Sequence, residues 1–108
     1  MKYGLSKADI QTIVEILRRF PEIQQAILFG SRATGTHKPG SDIDLALRGA
    51  LCPSTIIQVK QALEDTNLPW FFDVVDEPSL SNEALRAHID SLGKLLYCNP
   101  RKVETTRD

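Results

Sequence analysis

Hydrophobic residues follow two different spacings along the chain, and the first of these is helical. From Ile10 to Phe20 the apolar side chains recur every three or four residues, which predicts a helix with one buried face. Ser6 and Asp9 precede this stripe at the spacing of an N-cap and a third helical position, and Pro21 ends it. The chain is therefore predicted to begin with an amphipathic helix.

Short runs of apolar residues predict the strands of a sheet. The clearest runs are residues 26–29, 42–47 and 70–76, and a shorter candidate is residues 94–97. The second run begins with Asp42 and Asp44, which alternate with an apolar residue. Because the side chains of a strand repeat every two residues, both aspartates are expected on the same face of the sheet.

Turn-forming and helix-capping residues between these runs predict three more helices. A short helix is expected over residues 31–34, a second with Ser54 as its N-cap, and a third that begins at Ser81 or Asn82 and ends at Gly93. On the helix capped by Ser54, one side is expected to carry Ile56, Val59, Lys60 and Leu63. The side chains expected in the core from the later segments are Trp70, Phe71, Phe72, Leu85, Ile89 and Leu92. The order of elements predicts an α/β (α+β) domain, with a small mixed sheet of three to four strands flanked by helices.

The composition is that of an ordinary globular chain. It has 108 residues, of which 42% are hydrophobic and 25% charged, so a single packed domain is expected over residues 1–98. Residues 99–108 are polar and are expected to form a flexible tail. No leader segment and no apolar run of membrane-spanning length is evident, which favours the cytoplasm and no membrane partner. Cys52 and Cys98 are expected to be free thiols in that reducing compartment.

The charge balance makes a long nucleic acid an unfavourable partner. The chain has 13 basic and 14 acidic residues, so its net charge is −1. Binding to a phosphate backbone depends on many lysine and arginine contacts that release counterions, and a slightly acidic chain has no overall attraction of that kind.

The segment from Gly30 to Asp44 carries the candidate chemistry, because Gly30-Ser31 is followed after ten residues by Asp42-x-Asp44. Glycine at a strand-to-helix turn lets the backbone approach a ligand, and Ser31 offers a hydroxyl and an amide at a helix N-terminus, where phosphate is attracted. Two neighbouring carboxylates repel unless a cation lies between them, and magnesium binds carboxylates together with substrate phosphates. The pattern predicts phosphoryl or nucleotidyl transfer.

Other polar residues near this segment allow two interpretations each. Asp73 lies among apolar residues, where an unpaired acid is costly, and this favours a third metal ligand. Asp76 is the rival third carboxylate, but it is expected on the opposite face of the strand. Arg32 could bind phosphate or pair with an acid to hold the loop, and Lys38 could reach a triphosphate or remain solvated.

The histidines and the aromatic segment are expected to be structural. His37 and His88 show no spacing that is typical of a zinc site. The aromatic residues 70–72 are expected in the core, with stacking on a nucleotide base as the less favoured alternative.

The Gly-Ser-x(10)-Asp-x-Asp pattern resembles the signature of the nucleotidyltransferase superfamily related to DNA polymerase β. Within it, the chain resembles the minimal nucleotidyltransferase (MNT) proteins of bacteria and archaea, from about Ile23 to Tyr97. The resemblance implies two magnesium ions held by Asp42, Asp44 and Asp73, and ATP bound at Gly30, Ser31 and Arg32. The chain departs from the family at Thr34, where a second basic residue is frequent, and this predicts a lower nucleotide affinity.

The resemblance also implies an acceptor and a partner. Isolated MNT proteins typically act as antitoxins beside a helical HEPN-domain toxin, so a hetero-oligomer with such a toxin is expected. The expected reaction is transfer of AMP from ATP to a tyrosine hydroxyl of the toxin, as in a type VII-like toxin–antitoxin pair, since the chain is short for a domain that binds its own acceptor.

Two alternatives stay open at this point. One is a non-catalytic nucleotide-binding antitoxin or interaction module, and the other is a small-molecule, aminoglycoside-like nucleotidyltransferase with a separate substrate-binding subunit. The three carboxylates argue against the first alternative, because an antitoxin that neutralises its toxin by contact alone does not require them.

Overall fold

The chain forms a four-stranded sheet with helices on both faces, described over residues 2–100 in a computed structural model. The elements in chain order are α1 (Lys7–Arg18), β1 (Ile23–Phe29), α2 (Ser31–Thr34), β2 (Ile43–Gly49), α3 (Pro53–Glu64), β3 (Phe72–Asp76), a 3₁₀ turn (Glu77–Ser79), α4 (Glu83–Leu92) and β4 (Lys94–Cys98). The predicted fold class and order of elements are confirmed.

The sheet is mixed, because its four strands lie in the order β3-β2-β1-β4. Strand β1 is antiparallel to both of its neighbours, whereas β2 and β3 are parallel, with α3 in the connection between them. Asp44 is paired with Phe29 on one side and with Asp73 on the other. The parallel pairing therefore brings together two acids that lie far apart in the sequence.

Helix α1 begins where the sequence predicts, because Ser6 and Asp9 cap it reciprocally. The backbone N–H of Asp9 donates to Ser6 Oγ at 3.1 Å, and the backbone N–H of Ser6 donates to Asp9 Oδ2 at 2.9 Å. These bonds satisfy two amides that the first helical turn leaves without intrahelical partners. The helix then packs Ile13 and Leu17 fully into the core.

The sheet separates two hydrophobic clusters, one on each face. The larger cluster joins α1 and α3 to the sheet, and its strand members are Ile23, Ala26, Leu28, Ile43, Leu45, Leu47, Phe72, Val74 and Tyr97. The smaller cluster joins α4 to the other face through Ile27, Phe29, Ala46 and Ile89. Because residues alternate between the faces, Asp44 and Asp73 lie on the α4 face, opposite the larger cluster.

Polar contacts fix α4 and the turn before it to the sheet. Arg48 on β2 donates to Glu77 at 3.3 Å and to Asp90 at 3.0 Å. The Asp90 side chain is mostly exposed, so that pair contributes little, whereas Glu77 is buried and needs a partner. Arg86 on α4 also donates to the backbone carbonyls of Glu77 and Leu80. These bonds hold α4 and the turn before it against the sheet.

The start of α3 differs from the prediction. Ser54 was expected as the N-cap, but the helix begins at Pro53, with Cys52 as the N-cap residue. Proline suits the first helical position because it has no N–H to leave unpaired and its φ is already helical. The prediction favoured Ser54 because serine is the commoner cap, and the preference of Pro53 for the first turn prevailed.

Two side chains predicted in the core are exposed. Phe71 is 74% exposed and precedes β3, and Leu92 is 46% exposed at the last position of α4. Both lie at element ends, where spacing alone does not determine burial. On α3, Val59 and Leu63 are buried, whereas Lys60, which was expected on the same side of the helix, is exposed.

The C-terminal segment is ordered further than expected. Asn99, the first residue of the predicted tail, is buried, and its amide donates to the carbonyls of Pro21 and Ile23. Residues 101–108 of that tail lie outside the described residues. Cys52 and Cys98 are free and exposed, as predicted. None of the helices within residues 2–100 has the length and apolar character needed to cross a bilayer.

Replacing Ser6 with alanine is expected to lower the free energy of unfolding by about 1 kcal/mol, because the capping bond to the Asp9 amide is lost. In a domain of this size that corresponds to a fall in melting temperature of roughly 4–8 °C. Ser54→Ala is the matched control and is expected to leave the melting temperature nearly unchanged, since Ser54 does not cap α3. Equal losses in the two variants would show that the assigned caps are wrong.

Candidate active site

A sharp turn between β1 and α2 places Gly30 and Ser31 just beyond the C-terminal end of β1. Gly30 is the N-cap of α2 and has a positive φ of 77°, which favours glycine. A Cβ atom on this residue would lie 2.3 Å from Asp44 Oδ2, so no side chain fits there. Gly35 ends α2 in the left-handed conformation, as the sequence predicts. Glycine at position 30 therefore lets the turn lie directly against the carboxylate of Asp44.

Three carboxylates lie at the beginning of two neighbouring strands, and that of Asp44 lies directly against this turn. Asp44 and Asp73 are paired residues of β2 and β3, and Asp42 lies just before β2, two residues from Asp44. Asp44 is half-buried, whereas Asp42 and Asp73 are exposed. Asp76 is three residues beyond Asp73, faces the other way, and accepts a hydrogen bond from Ser79 at 2.9 Å. The structure thus brings the three predicted acids together and leaves the rival apart.

The electrostatic environment of Asp44 reflects this crowding. Burial raises the pKa of Asp44 to about 6, and the negative charges of Asp73 and Asp42 add to the increase. The positive charge of Arg32 and the nearby His88 act in the opposite direction, to a smaller extent. The ionised form of Asp44 is therefore disfavoured unless positive charge is added to the site.

Asp42, Asp44 and Asp73 are the residues that could hold a metal ion here. Among residues 2–100, no three His, Cys, Asp or Glu side chains are arranged closely enough to form a metal site as they stand. Carboxylate oxygens are nevertheless the ligands that a hard divalent cation prefers, and the mutual repulsion of these acids is what such a cation relieves. The donor set fits magnesium, and the side chains would have to converge on it.

Arg32 has a different environment from the one that a phosphate ligand would need. It is 2% exposed, and its guanidinium donates to the backbone carbonyls of Tyr3, Pro39 and Ser41 at 2.8 to 3.3 Å. Of the two interpretations offered by the sequence, the structure favours support of the loop, through carbonyl groups instead of an acid. Burial lowers the pKa of Arg32, and Asp44 partly offsets this effect.

His88 belongs to the site, although no pattern in the sequence indicated it. Its Nε2 accepts a hydrogen bond from the backbone N–H of Gly30 at 3.0 Å, and its ring meets Phe29 edge-on. His88 and Gly30 are 58 positions apart and share no motif, so no sequence pattern could have revealed this contact.

The remaining candidates lie at the margin of the site. Lys38 is exposed, and its backbone N–H donates to Ser41 Oγ at 2.9 Å, which closes the loop before Asp42. Trp70 is partly buried and donates to the carbonyl of Pro39, so it packs against the loop. Phe71 is the aromatic side chain left free to contact a ligand among residues 70–72.

Comparison with known proteins identifies the family of this site. The family described as "Polymerase beta, Nucleotidyltransferase" matches residues 11–102, which include all four strands and both parts of the motif. No curated protein matches the chain in sequence.

Solved structures with the same fold include several toxin–antitoxin complexes. A chain of a toxin–antitoxin complex crystallised with AMP-PNP is 30% identical, with a TM-score of 0.71 over 89% of this chain and 78% of the other. A second match is a chain from a complex of the tri-AMPylated Shewanella oneidensis HEPN toxin with MNT antitoxin. It is 26% identical, with a TM-score of 0.68 over 94% of this chain and 79% of the other. A chain of the MntA–HepT toxin–antitoxin complex is 26% identical, with a TM-score of 0.66 over 93% and 79%.

The match covers the strand-to-helix turn, the facing acids and the sheet that joins them. The chain belongs to the polymerase beta nucleotidyltransferase family.

Proposed function

We propose that this chain is a magnesium-dependent nucleotidyltransferase that moves AMP from ATP to a hydroxyl group of a partner protein. The observation that carries the proposal is the arrangement of Asp42, Asp44 and Asp73 around the turn at Gly30 and Ser31. One side of the site offers an amide and a hydroxyl to phosphate, and the other offers carboxylates to a cation. A nucleoside triphosphate with bound magnesium requires both.

The proposed partner is a HEPN-domain toxin, with this chain as its antitoxin in a type VII-like pair. Support comes from the similar structures, which are toxin–antitoxin complexes, one with AMP-PNP and one with a tri-AMPylated HEPN toxin. The toxin in that complex carries AMP groups. We therefore propose that the acceptor for this chain is a hydroxyl of its toxin, such as that of a tyrosine. The two chains would then form a hetero-oligomer.

Each residue of the site has a role in this reaction. The Ser31 hydroxyl and the amides at the start of α2 would bind the β- and γ-phosphates, and Gly30 would let them approach the backbone. The acceptor oxygen would form a bond to the α-phosphorus as the bond to pyrophosphate breaks. Asp73 is exposed and could accept the proton of the acceptor hydroxyl.

Magnesium would be held by Asp42, Asp44 and Asp73. When bound, it would neutralise phosphate charge and lower the pKa of the incoming hydroxyl. The raised pKa of Asp44 supports this role, because positive charge at the site restores its ionised form.

The first experiment is intact-mass spectrometry of the product of the adjacent gene, tested as the proposed HEPN partner, after incubation with the chain, ATP and magnesium. An increase by whole AMP units is expected with the wild-type chain. Asp42→Asn and Asp44→Asn are expected to abolish it with the fold kept, because each removes a carboxylate that binds the cation.

Asp76→Asn is the matched control for Asp73→Asn, since both acids lie on β3 but face opposite sides. Transfer should be lost with the variant at position 73 and retained with the variant at position 76. A stable complex without any mass increase would instead support the non-catalytic antitoxin. Full turnover by Asp42→Asn or Asp44→Asn would contradict the metal role.

Asp44→Asn is expected to stabilise the magnesium-free protein at alkaline pH. Folding raises the pKa of Asp44 from 3.8 to about 6, so ionisation of this acid destabilises the fold progressively as the pH rises from about 4 to about 6, and the full effect is present above that range. Because solvent screens this partly exposed group, the gain at about pH 8 should be about 1 kcal/mol, and it should vanish below about pH 4.

Thermal unfolding with a chelator and with added magnesium measures this effect. Magnesium should raise the melting temperature of the wild-type chain at alkaline pH more than that of Asp44→Asn. Asp76→Asn should respond to magnesium as the wild type does. An Asp44→Asn variant that is less stable than the wild type at alkaline pH would show that Asp44 is not repelled by its neighbours.

Ser31→Ala is expected to weaken the binding of magnesium–AMP-PNP by about 1 to 2 kcal/mol, the worth of a hydrogen bond to a charged group. Isothermal titration calorimetry measures the affinity. Thr36→Ala is a suitable control, because Thr36 is an exposed hydroxyl residue of the following loop. If both variants bind as the wild type does, Ser31 is not a phosphate ligand.

A further inference from the structure

Arg32 connects the two sides of the site from beneath the loop that joins them. It follows Ser31 directly on α2, and its Nε and Nη2 donate to the carbonyl of Ser41 at 3.1 and 2.9 Å. Ser41 is the residue before Asp42. The side chain of Arg32 therefore links the chain at Ser31, the proposed phosphate ligand, to the chain just before Asp42, the first proposed metal ligand.

The same guanidinium fixes two further segments. Nη2 also donates to Pro39 at 3.3 Å, and Nη1 donates to Tyr3 at 2.8 Å. The guanidinium stacks 5.0 Å from the ring centre of Trp70, whose Nε1 donates to the carbonyl of Pro39 at 2.9 Å. Arg32 and Trp70 thus hold the loop carbonyl of Pro39 together. A planar group with several donors in fixed directions can do this, whereas a lysine cannot.

The N-terminal turn completes this cluster. Lys2 and Leu5 exchange two backbone hydrogen bonds, and Tyr3 and Gly4 between them both have positive φ. A Cβ atom at Gly4 would lie 2.8 Å from Arg32 Nη1 and 2.5 Å from His37 Nε2. The turn therefore lies directly against the guanidinium and against the loop, with no space for a side chain at position 4.

We propose that Arg32 is a positioning residue for nucleotidyl transfer, which fixes Asp42 relative to Ser31 and is held in place by the N-terminal turn and Trp70. Its effect on catalysis rests on the proposed function above, but its effect on the loop does not. Because reacting groups misplaced by about 1 Å can cost orders of magnitude in rate, a loosened loop should act mainly on turnover.

Direct binding of the triphosphate by Arg32 is the competing account. The side chain is 2% exposed, and each of its three nitrogens already donates to a backbone carbonyl. To reach a phosphate it would have to leave those carbonyls unpaired in a buried environment, which is costly. The two accounts differ in what they predict for the protein without nucleotide.

The experiment combines hydrogen–deuterium exchange of the nucleotide-free chain with steady-state AMP transfer. Arg32→Lys keeps the charge and removes the planar fork, and Gly4→Ala disturbs Arg32 from a position remote from the acids. Arg19→Lys changes an exposed arginine, and Gly40→Ala adds a methyl group to open space within the loop, so these are the matched controls. Circular dichroism verifies that each variant is folded.

Arg32→Lys is expected to speed exchange across residues 36–42 by about tenfold or more, and to lower kcat by a similar factor with a smaller change in KM. Gly4→Ala should show the same pattern more weakly, with both controls close to wild type. The fluorescence of Trp70, the one tryptophan in the sequence, should also change in both test variants.

Unchanged exchange in Arg32→Lys with an increased KM would overturn the proposal in favour of direct phosphate binding. Unchanged exchange and unchanged kinetics would show that Arg32 has no positioning role. If Arg32→Lys does not fold, Gly4→Ala decides between these outcomes with Arg32 present. If the wild type transfers no AMP, the proposed function fails, and the exchange data with magnesium–AMP-PNP affinity still decide whether Arg32 holds the loop.

Discussion

The parallel pairing of β2 with β3 is the constraint on which the site depends. It aligns Asp44 with Asp73, and the apolar neighbours of each acid point into the larger core on the opposite face. A shift of β3 by one residue in this register would turn Asp73 into the core and expose Phe72 and Val74, which is strongly unfavourable. The packing of α1 and α3 therefore holds two like charges side by side. The burial of Asp44 and its crowding by the other acids, which together raise its pKa, are a direct result of this core.

The sequence was sufficient to predict the parts of the structure that depend on local spacing. The capping box at Ser6, the place of Asp44 in β2 and the strand containing Asp73 all follow from periods of two or of three to four residues. The prediction was weakest where two local preferences compete. At the start of α3 the proline at position 53 outweighed the serine that follows it.

Contacts between distant segments could not be predicted from one sequence. Arg32 was assigned to the nucleotide or to an acid, because an arginine beside a serine that is predicted to bind phosphate suggests both. Its actual partners are backbone carbonyls, including that of Tyr3 at a separation of 29 positions, and every residue type has a carbonyl. His88 was overlooked for a similar reason, since it accepts from a backbone amide. When a side chain bonds to the main chain, the type of the partner residue is not constrained, so the contact leaves no pattern in the sequence.

The contact between Gly30 and Asp44 also limits how such a chain can evolve. A methyl group at position 30 would overlap the Asp44 carboxylate, and the positive φ of this residue disfavours a side chain even where space is available. Glycine is therefore required twice at this position, once by the acid and once by the backbone. Replacing Asp44 with a smaller residue would remove only the first requirement, so position 30 should stay glycine even in a lineage that has lost the acid.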